Sequence, residues 1–231
     1  SMPEFNLDDF RGVTRLFPLQ GMVMFPHAVV PLHVLESRYR QMTSDALATD
    51  RLITLIQPTS ELIPTPRGPL LASVGCIGRI IQHERLDDGR YNFLLAGIKR
   101  VRIVAEINTP GKLYREAEAE LLLENNLEAV TPESFQEMVG RFATILNEAD
   151  PNHPGDTEIR RILKTSRNPA LVSDLISQAI TLPASIKQMI LGMTDVHFRV
   201  NYLIEILRMM TDPNIAEKAK EVSFPPKFSV N

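Results

Sequence analysis

The hydrophobic pattern of this 231-residue chain changes its period once, near Asn125. Before that point, short β-branched runs bounded by proline and glycine predict strands. After it, apolar residues recur every three to four positions, which predicts amphipathic helices. Strands followed by helices are typical of an α+β protein or of two subdomains. We therefore expect an irregular segment over 1–15, a β-rich subdomain over 16–124, a helical subdomain over 125–222 and a tail over 223–231.

Prolines punctuate the first two predicted strands, Leu16–Leu19 and Val29–Val34. Because proline cannot donate a ladder hydrogen bond, these segments are expected to be edge or bulged strands. An amphipathic helix is predicted from Leu35 to Ala46. Residues 58–69 hold four prolines and are predicted to form a loop. The remaining strands are expected at 51–57, 70–85, 91–95, 101–107 and 114–123, with a bend at Gly97. Six or so strands with one early helix indicate a small, partly open barrel.

The helical half carries its own start and stop signals. Thr131 can cap a helix in which Pro132 occupies the first position. Pro169 and Pro183 are likewise expected to begin helices, and Pro213 to end or kink the last long one. A short helix is expected over 157–164, a cap for the last long helix at Thr194 or Asp195, and a short charged helix up to Glu221.

Composition limits the class of protein. An apolar fraction of 44% with 23% charged residues is ordinary for a globular chain, which argues against disordered and fibrous proteins. The net charge of −3 disfavours nucleic-acid binding, which usually requires a basic face. The single cysteine, Cys76, rules out an intrachain disulfide and favours the cytosol. Because it lies in an apolar run, we expect it to be a buried hydrophobic side chain.

Targeting signals and membrane spans are not predicted. The chain does not open with a basic and then apolar signal peptide. The longest apolar stretch, Met22 to Leu35, is interrupted by prolines and histidines and cannot form a spanning helix. We therefore expect a cytoplasmic protein that does not contact a membrane.

Motifs for catalysis and for metal binding are weak. A phosphate-binding loop requires G-x-x-x-x-G-K-[ST], but Gly111-Lys112 is followed by Leu113 and preceded by Glu106 where the first glycine would stand. His33 and Glu36, with His27 nearby, lack the converging third or fourth ligand of a metal site. Three glutamates, Glu116, Glu118 and Glu120, alternate along a strand and are expected to form a solvated face. No catalytic residue, cofactor or metal ligand is assigned.

Several stretches, taken in order, resemble the amino-terminal, substrate-recognition domain of Lon protease. They are Leu16-Phe17-Pro18-Leu19, Phe25-Pro26, Pro31 to Tyr39, Val74-Gly75-Cys76-Ile77-Gly78-Arg79-Ile80, Asp88-Gly89-Arg90-Tyr91, Ala96 to Val101 and Leu182 to Ile190. Each is made of folding residues, so the ordered series carries the resemblance, which spans roughly Val13 to Met210.

The resemblance implies a PUA-like β pseudo-barrel followed by an α-helical bundle. It also implies a non-catalytic module that binds unfolded or partner polypeptides. Full-length Lon adds an ATPase module and a serine–lysine peptidase, and nothing in this sequence matches either, so we expect a stand-alone, non-enzymatic form. The expected partners are unfolded proteins, full-length Lon or a second copy of the chain.

Two surfaces are candidates for binding. Methionines suit adaptable apolar surfaces, so Met22, Met24 and Phe25 in an early loop and Met189 and Met193 in the late helices form a candidate protein-binding surface. Core packing is the alternative for these side chains. An RNA-binding, PUA-like module is the alternative function, and it would begin from a basic cluster of Lys99, Arg100 and Arg102, with Arg90 nearby.

Overall fold

The computed structural model describes residues 6–149 and 156–214, which belong to two compact units. The first unit holds the described residues up to Asn125 together with Asp174–Thr194. The second holds Asn126–Ser173 and the described residues from Asp195 onward. The predicted boundary at 124/125 therefore needs one correction, because residues 174–194 belong with the strands. The predicted helix up to Glu221 and the tail over 223–231 lie outside the described residues.

A six-stranded sheet dominates the first unit. The strands of this unit are β1 Val13–Pro18, β2 Val29–Val34, β3 Leu52–Ile56, β4 Pro58–Thr65, β5 Gly68–Leu71, β6 Val74–Arg85, β7 Tyr91–Ile107 and β8 Glu116–Leu121. The strand order of the sheet is β2-β7-β6-β3-β1-β8, with a further pairing of β7 with β8. That pairing closes β7, β6, β3, β1 and β8 into a barrel and leaves β2 outside it. All pairings in the sheet are antiparallel except that of β1 with β3.

Alanines of β8 pack against larger apolar side chains inside the barrel. All five residues of β3 are buried, as expected for a strand covered on both faces. Two clusters form the core inside the barrel, and in both the side chain from β8 is an alanine. One contains Leu16, Ile56, Ala72 and Ala117, and the other contains Leu52, Ile77, Val101 and Ala119.

The prediction of a loop over residues 58–69 was wrong. Residues 58–71 contain a hairpin of β4 and β5; its register shifts twice, which accommodates prolines that cannot donate ladder bonds. β7 is one continuous strand through the predicted bend at Gly97, but its pairing with β6 shifts register between Gly97 and Lys99, as at a β-bulge. Gly97 is also required for close packing, because a Cβ on it would lie 2.4 Å from the carbonyl oxygen of Phe25.

Helical segments cover the barrel of the first unit. Helix α1, Ser37–Leu47, buries Tyr39 and Met42, and the Tyr39 ring stacks on Phe17 of β1 with centroids 4.6 Å apart. Helix α5, Ala184–Leu191, is attached to the sheet through Gln188, whose Nε2 donates to the carbonyl of Val74 at 2.9 Å. The bond from Gln188 to Val74 ties residues 174–194 to the strands of the first unit.

The second unit is helical, as predicted. Thr131 caps α2 by accepting from the Ser134 amide, with Pro132 at the first position. Asp195 caps α6 by accepting from the Phe198 amide. The α+β prediction is thus confirmed. The helices of this part of the chain are α2 Pro132–Glu148, α3 Asp156–Thr165, α4 Pro169–Ala179, which begins in this unit, and α6 Val196–Thr211.

Candidate functional site

Strand β2 is the open edge of the sheet. Among the described strands it pairs with β7 alone. No backbone hydrogen bond from another described residue reaches its other side. Free N–H and C=O groups along an edge are a template on which an extended chain can pair. The prediction that Val29–Val34 is an edge strand is therefore confirmed. The same prediction for Leu16–Leu19 was wrong, because β1 lies between β3 and β8 and pairs with both in regular register.

The side chains of β2 alternate strictly between core and solvent. Val30, Leu32 and Val34 are buried, whereas Val29, Pro31 and His33 are exposed. Leu35 directly after the strand is also 51% exposed. The open edge is thus flanked by apolar surface, which an apolar polypeptide segment can cover.

A cleft of about 340 Å³ lies across β2, β7 and β6. The His33 ring hydrogen bonds across the strand pair to the side-chain oxygen of Asn92, which fixes the imidazole at this position. The cleft gives an extended ligand a place for at least one side chain beside the edge. Its lining residues are Pro31, Leu32, His33, Gln82, His83, Glu84, Asn92, Phe93 and Leu94.

Pro31 modifies what this edge can bind. The Gly97 amide donates to the Ala28 carbonyl at 2.8 Å, which marks a hydrogen-bonded pair at the start of β2. Because such pairs alternate along an antiparallel ladder, the backbone groups of Val29, Pro31 and His33 face away from β7. The edge therefore offers three carbonyl acceptors but lacks the N–H of Pro31. A proline at an edge prevents continuous hydrogen bonding to another sheet, because it has no N–H to donate. Its carbonyl oxygen and those of its neighbours remain available as acceptors for a ligand.

The methionine-containing surface is only partly exposed. Met22 and Met189 are exposed, by 37% and 52%, and Met193 is half-buried. Met24 and Phe25, in contrast, are core residues at 1% and 0% exposure. The Phe25 amide donates to Gln178 Oε1 at 2.9 Å, so this segment is fixed inside the first unit. Met24 and Phe25 therefore cannot contribute to a surface in this conformation.

The basic cluster is already neutralised in this fold. Arg100 is buried and forms a bidentate ion pair with Asp174, at 2.7 and 2.9 Å, and a further contact with Glu124. Arg102 lies 3.6 Å from Glu120, and Arg90 pairs with Asp88. Lys99 is half-buried. A phosphate backbone would have to compete with carboxylates for three of these four cations, which does not favour the RNA-binding alternative.

A polar cavity of about 550 Å³ borders the Arg100 ion pair. Three of its charged lining residues form one network, because Arg100 donates to both Glu124 and Asp174. Arg100 Nε also donates to the Leu191 carbonyl at 2.6 Å. A long-range contact of this kind could not be inferred from the sequence, where Arg100 only looked like part of a basic run.

Cys76 is buried, as its apolar run predicted, and burial raises the pKa of its thiol to about 12. No set of three or more histidine, cysteine or acidic side chains within residues 6–149 and 156–214 is arranged to hold a metal ion. Of the three glutamates on β8, Glu118 and Glu120 are exposed as expected, but Glu116 is buried and pairs with Lys112 at 2.9 Å. No helix formed by these residues is both long and apolar enough to span a membrane.

Comparison with known proteins relates this fold to one family. The profile described as the ATP-dependent protease La (Lon) substrate-binding domain matches residues 13–209. The Lon protease of Escherichia coli K12 is 29% identical over 205 residues, covering 88% of this chain and 25% of that protein. The Lon protease of Desulfosudis oleivorans is 26% identical over 220 residues, covering 90% of this chain and 26% of that protein. The chain thus spans about a quarter of the length of these relatives.

Solved structures agree with the sequence comparison on the fold. The N-terminal domain of Mycobacterium avium complex Lon protease superimposes with a TM-score of 0.63 at 20% identity, covering 84% of this chain and 97% of that one. The Lon N-terminal domain protein from Xanthomonas campestris gives a TM-score of 0.59 at 22% identity over the same shares. The profile match over most of the chain, together with this shared fold, shows that the chain belongs to the Lon substrate-binding domain family.

Proposed function

We propose that this domain binds extended, non-native polypeptide segments and that the open edge of β2 is their docking strand. The observation that carries the proposal is that β2 lies outside the closed barrel with its outer backbone groups unpaired by any described strand. Membership of a substrate-binding family supports a polypeptide as the ligand. Backbone pairing suits such a role because it is largely independent of the ligand's sequence.

The flanking side chains supply the second part of the binding energy. Val29 and Leu35 expose apolar surface on either side of Pro31. Each apolar side chain covered by a ligand contributes roughly 25 cal/mol per Å² of buried area. A segment of about six to eight residues reaches from Val29 past Leu35 at about 3.3 Å per residue.

Backbone-methylated peptides test strand addition directly. An apolar peptide of about ten residues is titrated by fluorescence anisotropy, and it is then N-methylated at one alternate set of amides or at the other. Only one set can donate to the carbonyls of Val29, Pro31 and His33, so one series should lose about fivefold in affinity per methyl group while the other binds as before. Equal effects of both series would refute strand addition.

Surface variants locate the site. Val29→Asp and Leu35→Asp should weaken peptide binding at least about tenfold, because each places a charge in the apolar flank. Val104→Asp and Leu123→Asp are matched controls, since both residues are exposed apolar side chains and neither lies in β2 or in the part of β7 that pairs with it. Unchanged binding by the first pair, with their unfolding curves intact, would show that the edge is not the site.

The exposed part of the methionine surface is a second proposed contact area. Met22 and Met189 have the exposure that a contact requires, and methionine adapts to varied ligand side chains. Met22→Asp and Met189→Asp should then weaken binding further in the Leu35→Asp background. Additive losses would support two contact areas; binding identical to that of Leu35→Asp alone would remove the methionines from the proposal.

We also propose that the domain binds polypeptides without catalysing a reaction of its own. The buried thiol of Cys76 supports this proposal, as does the absence of a phosphate-loop motif from the 231-residue sequence. We propose the cytoplasm as its location. Full-length Lon and a second copy of this chain are proposed partners. Purified protein should release neither phosphate from ATP nor fragments from a peptide. Turnover that persists after ion-exchange and sizing steps would contradict this part.

A further inference from the structure

A second groove, in the helical unit, has a chemical character different from that of the β2 cleft. Arg160 in the middle of α3 donates to Asn147 and Leu146 near the end of α2. The groove brings Phe135, near the start of α2, beside Leu163, near the end of α3, so the two helices run antiparallel. The groove lies at the opposite, open end of this helix pair and has a volume of about 710 Å³. Its lining residues are Val130, Thr131, Pro132, Phe135, Gln136, Val139, Gly140, Leu163, Lys164, Arg167 and Pro169.

The floor of the groove is apolar. Phe135 and Leu163 are both 8% exposed, so their inner faces belong to the core while their outer edges face the groove. Val139 is half-buried beside them. A floor of this kind is suited to one or two apolar side chains of a ligand, as in a helical or extended peptide seated in a groove.

The rim of the groove is positively charged. Lys164 and Arg167 are exposed lining residues, and none of the described lining residues carries a carboxylate. Neither cation forms an ion pair with a described residue. Arg167 Nη1 makes only long contacts, of 3.2 and 3.3 Å, with the carbonyls of Ser166 and Lys164. Their neighbour Arg161, by comparison, pairs with Glu158 on the same helix.

We infer that this groove is a second polypeptide-binding site, selective for segments in which carboxylates flank an apolar side chain. The apolar floor takes the apolar side chain, and Lys164 and Arg167 meet the carboxylates at the rim. The site is separate from β2, and the inference shares with the proposed function only the premise that the ligand is a polypeptide. A small anion would use the rim but leave the apolar floor uncovered, which makes it the poorer fit.

Peptides that differ only in charge provide the test. Three peptides share one central leucine–phenylalanine pair, flanked by aspartates, by serines or by lysines, and each is titrated by fluorescence anisotropy at low and high salt. The aspartate peptide should bind about five to ten times more tightly than the serine peptide, the gain expected from two partly exposed ion pairs. The advantage should shrink at high salt. Equal affinities for all three peptides would overturn the inference.

Charge-swapped variants assign the effect to the groove. The double substitution Lys164→Glu and Arg167→Glu should reverse the order, so that the lysine peptide binds best, whereas Arg161→Gln on the same helix should change nothing. Val139→Asn should weaken all three peptides together, because it alters the floor. Val29→Asp should leave the charge preference unchanged, which separates this site from the β2 edge.

Other occupants would show themselves in the same experiments. If the Lys164→Glu and Arg167→Glu protein changes its sedimentation behaviour and not its peptide preference, a second copy of the chain occupies the groove and the inference fails. If a single-stranded oligonucleotide displaces the aspartate peptide and loses affinity in this variant, the groove binds nucleic acid and the inference also fails.

Discussion

Arg100 and Asp174 form a bidentate, fully buried ion pair although 74 residues separate them in the sequence. Both side chains are 1% exposed, and the Arg100 guanidinium is also bonded to Glu124 and to the Leu191 carbonyl. The pair joins strand β7 of the barrel to the helical segment 174–194 within the first unit. A buried pair of this kind specifies which elements dock together, because neither charge is tolerated alone.

Replacing one partner should therefore lower the free energy of unfolding more than replacing both. Asp174→Ala removes the bidentate carboxylate from a buried guanidinium, which then retains only the single contact with the partly exposed Glu124 and the bond to the Leu191 carbonyl. It is expected to lower the free energy of unfolding by about 3–5 kcal/mol. The double variant Arg100→Met with Asp174→Leu should recover most of that loss. Urea denaturation monitored by circular dichroism measures both.

An exposed ion pair provides the control. Arg102 and Glu120 are 3.6 Å apart and more than half exposed, so Arg102→Ala should cost less than about 1 kcal/mol. A loss from Asp174→Ala no larger than that from Arg102→Ala would show that the buried pair does not organise the first unit.

Of the described glycines, Gly97 has the least room for a side chain. A Cβ there would lie 2.4 Å from the Phe25 carbonyl oxygen and 3.3 Å from Cys76 Sγ. Gly97→Ala should therefore lower the free energy of unfolding by about 1–3 kcal/mol or more, since backbone must move. Thermal unfolding followed by circular dichroism measures the effect.

Gly140 is the matched control for this substitution. It lies inside α2, and apart from its chain neighbours and the adjacent backbone of its own helix, no atom comes within 4 Å of the position that a Cβ would occupy. Gly140→Ala should therefore raise stability by about 0.5–1 kcal/mol through helix propensity. If both alanine variants change the melting temperature in the same direction, close packing at Gly97 is not the cause.

Local signals in the sequence predicted local structure well. Thr131 caps α2 as predicted, and of the two candidates Thr194 and Asp195 it is Asp195 that caps α6. Such caps can be located from the sequence because the capping bond joins residues three apart. Pro31 correctly indicated an edge strand, since proline lacks the donor that a central strand needs. The prolines of residues 58–69 predicted a loop, but this segment forms part of a hairpin. A two-stranded hairpin with register shifts tolerates the missing proline donors, so a high proline content did not exclude strands.

Features that depend on long-range packing could not be predicted. Met24 and Phe25 have the composition of an adaptable surface, but Gln178, 153 residues from Phe25, fixes that segment in the core. Arg100 appeared as part of a basic run, and its carboxylate partner comes from a distant helix. The groove at Lys164 and Arg167 requires α2 and α3 to be packed against each other before it exists. Sequence periodicity gives the buried face of each helix but not which faces meet.

The thiol of Cys76 should be protected as long as the first unit is folded. It is buried, and burial raises its pKa to about 12, so almost no thiolate forms at neutral pH. Alkylation by iodoacetamide in native buffer should be at least about a thousandfold slower than for an exposed cysteine, from the pKa difference alone. The rate should rise with urea in parallel with global unfolding.

The exposed reference for this experiment is the variant Cys76→Ala with Leu123→Cys, because Leu123 is 77% exposed. Mass spectrometry after timed quenching gives both rates. Rapid native labelling of Cys76, without a matching loss of circular dichroism signal, would reveal a local opening that the packing of the barrel does not predict.

Glu137 should make the helical unit sensitive to acid. On α2 it accepts hydrogen bonds from Arg208 of α6, at 2.6 and 3.0 Å, and from Arg141 one turn along its own helix, at 2.9 Å. These bonds lower its pKa from the ordinary value of 4.5 to about 2. Because the folded-state pKa is depressed, the stabilising contribution is fully present above pH 4.5 and is lost as the pH falls from 4.5 toward 2.

The variant Glu137→Gln isolates this contribution. The difference in free energy of unfolding between the original protein and Glu137→Gln should be constant at neutral pH and should shrink as the pH falls below about 4.5. Urea denaturation at a series of pH values from about 7 to about 3 measures it. Glu133→Gln, which removes an exposed carboxylate from the first turn of the same helix, is the matched control variant. The Glu137 contribution must be modest, since its side chain is 28% exposed and screened by solvent. A difference that stays constant down to the lowest pH would mean that Arg208 and Arg141 hold α2 and α6 together without the charge of Glu137.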